Sequence, residues 1–220
     1  MDIELIPIIE IGYNNQDIAS PDKYPYWDNP EVWDNYHNEC YAKAGFRDNM
    51  KPYLKGSSFH KLTDISKDNL IKLTIDHTAE MREGKSTREQ SCTFFGGYVL
   101  RVNGQDKFFP QCCGELSDII YWENLANGQQ SYYEGHPEPQ TKIKGDVISF
   151  DFTDDEDDPF QPPPPDKKVQ VDRSSLKKAV GKTKAELQNF TPRIKQINVD
   201  QNLNIEDIAR LLIWNNLNSE

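Results

Sequence analysis

Residues 108 to 118 read FFPQCCGELSD, and the adjacent thiols of Cys112 and Cys113 are the groups in this chain best suited to covalent or metal chemistry. A thiolate can serve as a nucleophile, a metal ligand or half of a disulfide, and each role makes its own demands. A nucleophile needs a lowered pKa, from a helix N-terminus or a nearby cation, and a base to take its proton. Cys113 precedes a predicted helix, which helps, but Glu115 and Asp118 are close in sequence and oppose a thiolate. Four histidines are present, His37, His60, His77 and His136, and none stands in a recognisable spacing to the thiols. A disulfide between neighbours would close a small strained ring. Against these roles stands a structural one. Cysteine is among the most buried side chains, and one of two successive strand residues points inward. The expectation is a strand end whose inward cysteine packs, with Gly114 making the turn into the helix.

For metal, His37, Glu39 and Cys40 in HNEC invite comparison with the zinc deaminases, which use H-x-E followed by P-C-x-x-C. The second half fails: Pro110 is followed by Gln111, the cysteines are adjacent, and no C-x-x-C occurs in the chain. Adjacent thiolates are poorly placed for two corners of one tetrahedron, so no metal site, no catalytic residue and no cofactor is expected. Asp154, Glu156 and Asp158 of DDEDD fall at positions 1, 3 and 5 of a calcium loop, but Pro159 replaces its glycine and Pro165 its final glutamate. That excludes an EF-hand. YYEGHPEP holds Glu134, His136 and Glu138, which fits an acid–base cluster or a polar loop equally. There is no G-x-S-x-G, P-loop or G-x-G-x-x-G.

What positions these residues is an alternation of strands and helices without βαβ regularity. Residues 3 to 11, IELIPIIEI, read as a strand with Pro7 at an edge or bulge. A helix is predicted from Pro30, capped by Asn29, to Gly45, with Trp33, Tyr36, Cys40 and Ala44 on one face. A second follows Ser66 and ends near Gly84, with Leu70, Leu73, His77 and Met81 on one face. Two β-rich runs flank Asn103-Gly104, a tight hairpin signal, and Gly96-Gly97 marks a bulge or close approach. A short helix, ELSDIIYWENLANG, comes next. In GDVISFDF, Val147, Ser149 and Asp151 alternate with Ile148, Phe150 and Phe152, so one strand face is apolar. From about Asp172 to Ile197 a stripe of Leu176, Val180, Thr183, Leu187, Phe190, Ile194 and Ile197 predicts a long helix, kinked or split at Thr191-Pro192. A last helix is predicted after Asn204.

The class implied is α+β: an antiparallel sheet with a central hairpin, helices mainly on one face, and a helical C-terminal segment. Residues 1–158 would form the core, 159–171 an acidic and proline-rich linker, and 172–220 a closing segment of the same domain. The chain has 220 residues and a net charge of -11, with 10 Tyr, 10 Phe and 4 Trp to supply burial against a mean hydropathy of -0.80. The negative charge disfavours nucleic acid and anionic membrane and favours a basic protein partner. No run approaches the roughly 20 apolar residues of a membrane helix. The N-terminus lacks the positive start of a secretory signal, so a cytoplasmic protein with reduced thiols is expected. Aromatics gather in loops beside carboxylates. Asp154, Asp155, Glu156, Asp157, Asp158, Trp27 and Tyr133 are the expected partner-binding residues.

The stretch FFGGYVLRVNGQDKFFPQCCGELSDIIYWENLANG, residues 94 to 128, resembles a hairpin-to-helix segment of uncharacterised bacterial proteins of the toxin-immunity type. The resemblance covers about a sixth of the chain and carries no catalytic motif. It implies a small acidic binding protein that neutralises a basic partner. The alternative is a small hydrolase or metal-dependent enzyme using the Cys112 and Cys113 region with a histidine. The two part on one observation: thiols in reach of a histidine favour the enzyme, and thiols buried among apolar groups exclude it.

Overall fold

Alternation in the first apolar run makes Ile3–Glu10 strand β1, with Ile3, Leu5, Ile8 and Ile9 buried. The structure is a computed structural model and describes residues 1–48, 50–153 and 158–214. The chain divides into two compact units that interleave in sequence. One comprises Met1–Pro7 and Phe95–Thr191, the other Ile8–Phe94 and Pro192–Glu220. Both sheets are antiparallel, and the class is α+β, as the sequence implies.

In the first unit, β1 lies beside β3 (Gly96–Val102), which pairs with β4 (Gln105–Phe108). Asn103 and Gly104 turn this hairpin with φ of 50° and 79°, the two left-handed residues that a tight turn matching strand twist requires. The register shifts between Leu100 and Arg101, so the irregularity lies there. Gly97 instead marks a close approach: a Cβ on it would meet the Glu115 carbonyl oxygen at 3.4 Å. Helix α4 (Ile119–Ala126) follows a 3-10 turn at Leu116–Asp118. A second sheet runs β5 (Gln140–Lys144), β6 (Val147–Asp151) and β7 (Lys168–Asp172). Ile148 and Phe150 of β6 are buried, as alternation predicts. Strand β7 occupies the end of the segment expected to be linker, where Val169 and Val171 alternate inward and pair Phe150 and Ile148. Phe108 stacks on Phe152 with ring centroids 5.5 Å apart, and Tyr133 and Phe160 meet Phe108 edge-on. The long helix α5 (Arg173–Asp200) buries every residue of its predicted stripe. Its Thr183 hydroxyl donates to the Leu5 carbonyl at 2.6 Å, which docks the helix on β1. Pro192 lies inside α5, and the division between the units falls just before it.

In the second unit, the last residues of β1 pair with β2 (Phe59–Lys61) from Ile8 to Glu10. Pro7 thus precedes the ladder, where its missing N–H costs no bond in it. Helix α1 (Pro30–Ala44) has the predicted start and stop, with Gly45 left-handed at φ 92°. Asn29 makes no side-chain cap and donates instead to the Pro25 carbonyl. Helix α2 (Lys67–His77) is capped by Ser66, which accepts from the Asn69 N–H. It stops at Thr78, ahead of a short α3 (Ala79–Arg82), where the sequence predicts one helix to Gly84. The segment after α5 forms a π-helical turn at Arg210–Trp214, and Asn198, not Asn204, binds the Ile205 backbone on both sides.

Candidate metal and thiol centre

In an extended strand, Sγ atoms on adjacent residues point to opposite faces. Cys113 breaks that rule with φ of 66°, a left-handed conformation that a non-glycine residue rarely adopts. The two Sγ atoms come to lie 3.6 Å apart, and both side chains are exposed. The expectation that one cysteine packs inward is therefore overturned, and the cause is the backbone turn at Cys113.

His136 completes a cluster. Its N–H donates to the Cys112 carbonyl at 3.0 Å in an isolated antiparallel bridge. One ring nitrogen of His136 and the two Sγ atoms all lie within 4.8 Å of one another. Among the described residues this is the one group of three or more His, Cys, Asp or Glu so arranged. Tetrahedral zinc with Zn–S bonds of about 2.3 Å holds two sulfurs about 3.8 Å apart. The 3.6 Å separation is close to that edge. Adjacent cysteines can thus occupy two corners here, against the expectation from spacing alone.

The backbone that carries the thiols is held from several sides. The N–H of Gln111 donates to the Tyr133 hydroxyl at 3.1 Å, and the Gln111 side chain exchanges hydrogen bonds with the Gln161 backbone, accepting at 2.8 Å and donating at 3.3 Å. Gly114 donates to the Gln111 carbonyl and accepts from the Gly96 N–H at 2.8 Å. A Cβ on Gly114 would lie 2.6 Å from the Gly96 oxygen, and one on Gly135 would lie 2.6 Å from the Tyr133 ring. A glycine therefore stands directly beside the thiol pair and another beside the histidine. Nothing in the spacing of the sequence joins His136 to the cysteines; the backbone bridge between the two loops does.

Carboxylates surround this backbone. Asp118 is 6% exposed, and its Oδ2 accepts from the Glu115 N–H at 3.0 Å. Burial pushes its pKa from 3.8 to about 7, and the charges of Glu115 and Glu134 push the same way against the Glu115 N–H.

The other expected site residues are scattered. Tyr133, expected on a binding face, is 3% exposed, because its ring packs on Phe108 and Tyr121 and its hydroxyl serves Gln111. Its neighbour Tyr132 is the exposed one, at 74%. Trp27 is half-buried, edge-on to Tyr26. Asp158 is exposed, and Asp154, Asp155, Glu156 and Asp157 lie outside the described residues. His37 is buried, its ring edge-on to Trp33, Tyr36 and Tyr41, and burial lowers its pKa. His60 is likewise buried, bonded by Tyr41 and the Lys51 carbonyl. Both histidines are core groups. No helix of the described residues is long and apolar enough to cross a membrane. No family model, curated protein or solved structure matches the chain.

Proposed function

We propose that the chain works through Cys112, Cys113 and His136 as a soft-metal centre of Cys2His type, with zinc the metal its donors fit, and that it is a metal-dependent enzyme of hydrolytic type. The observation that supports this is the thiol pair at 3.6 Å with a histidine ring nitrogen inside the same 4.8 Å cluster, all exposed. Three protein ligands leave a fourth position open, the pattern of catalytic rather than structural zinc. Bound there, the metal supplies Lewis acidity and an activated water. The chain's own part is to hold the ligands at a fixed spacing through Gln111, Gly114 and Tyr133. The test is metal uptake by the reduced, metal-free chain. One equivalent of cobalt should give thiolate-to-metal absorption that zinc displaces. Cys112→Ser, Cys113→Ser and His136→Ala should each weaken zinc binding by at least about tenfold, while Cys92→Ser should not. Unchanged binding in the three variants would sink the proposal.

A second reading keeps an acidic binding protein of the toxin-immunity type that neutralises a basic partner in the cytoplasm. Tyr132, exposed at 74%, and the net charge of -11 support it. A basic protein retained at low salt, and lost with Tyr132→Ala, is the expected result. An empty capture across the salt range rejects it.

A further inference from the structure

We infer that Cys112 and Cys113 are also a reversible two-electron couple, closing to a vicinal disulfide that cannot serve the metal centre. The regulatory half of this inference rests on the metal reading above. The couple itself does not.

Three features carry it. The left-handed backbone at Cys113 sets both Sγ atoms on one side at 3.6 Å, so bond formation needs about 1.6 Å of closure and no rearrangement of separate elements. Both thiols are exposed, so an oxidant of small size reaches them directly. The flanking backbone is fixed by Gln111 and Gly114, which holds the turn that sets the two thiols on one side.

The reaction balances with a low-molecular-weight disulfide as oxidant. One cysteine thiolate attacks it, forming a mixed disulfide and releasing one small thiol. The second thiolate then attacks the protein sulfur of the mixed disulfide, forming the Cys112–Cys113 bond and releasing the second small thiol. Two electrons pass to the oxidant, and the two protons leave with the released thiols.

The bond so formed is strained. Neighbouring Cα atoms stand about 3.8 Å apart, below the usual disulfide range of about 4.4–6.8 Å. A strained, exposed disulfide has a more oxidising potential and is easily reduced. Closing it also removes both thiolates, which leaves His136 as the single remaining ligand. A centre of this kind holds metal in a reducing medium and releases it when the thiol pool oxidises.

The experiment uses the full chain carrying Cys92→Ser, incubated reduced with oxidised glutathione and followed by intact mass and zinc uptake. The expected result is loss of two hydrogens with no retained glutathione, recovery on adding dithiothreitol, and zinc uptake falling in step with oxidation. Adding Cys113→Ser should trap glutathione on Cys112, because no second thiol can expel it. Retained glutathione on Cys112 or Cys113 with the pair intact, or no reaction, overturns the couple. Reduced protein that takes no zinc while the pair still oxidises overturns the metal reading and leaves the couple standing.

Discussion

Asp118→Asn should make the protein more stable at neutral pH by removing one of two opposed pH dependences that the wild type carries. The carboxyl is 6% exposed and its pKa rises from 3.8 to about 7. Between those values the folded state holds a proton that the unfolded state has lost. Stability from this group is therefore full below the unfolded pKa and falls as pH rises through the folded one. A rise of about three units at about 1.4 kcal/mol each amounts to about 4 kcal/mol at pH above 7. Asparagine keeps an oxygen to accept the Glu115 N–H and carries no charge to bury. The wild-type curve alone will not display the effect. Burial lowers the pKa of His60 from 6.5 to about 4, so that group adds stability as pH rises over nearly the same window. The two slopes oppose each other, and the difference between variant and wild type isolates Asp118. Chemical denaturation of both proteins at a series of pH values from about 4 to 8 measures it. The variant should gain on the wild type as pH rises, by up to about 4 kcal/mol. A difference flat to within about 0.5 kcal/mol refutes the burial argument.

Gly114→Ala places a methyl 2.6 Å from the Gly96 carbonyl oxygen and 3.0 Å from the Tyr133 hydroxyl. It should cost about 1–3 kcal/mol in denaturant and lower zinc affinity with it, whereas a purely local effect would leave affinity unchanged. Leu187→Ala, at a fully buried position in the α5 stripe, should cost about 2–5 kcal/mol by the same measurement, and a cost under about 1 kcal/mol would mean the stripe does not carry the core.

Where the sequence predicts elements well, the determinants are local. Pro30 and Gly45 bound α1 because one presets a helical φ and the other tolerates the left-handed exit. The α5 stripe repeats over seven positions, enough to survive an internal proline. Strands β5 and β7 do not stand out in the sequence because each is five largely polar residues, an alternation too short to separate from loop. The site is half legible. Cys112 and Cys113 stand out by type, but their joint exposure depends on one left-handed residue, and cysteine has no marked preference for that region. His136 arrives from another loop by a backbone bridge, a pairing that no spacing rule encodes. Tyr132 and Tyr133 are chemically equal in the sequence, and only packing on Phe108 decides which of them is the buried one.

The interleaving of the chain bears on how it is made. The last residues of β1 pair with residues 59–61, soon after both leave the ribosome, but the Leu5 carbonyl meets its partner only when Thr183 has been synthesised. Its sheet neighbours β2 and β3 are complete by residue 102, but the stretch of the first strand on which α5 docks waits uncovered until residue 183, an interval in which aggregation competes with folding. Slowing elongation before residue 183 should lengthen that exposure and lower the yield of folded protein, while the purified chain, refolded whole, would be spared it.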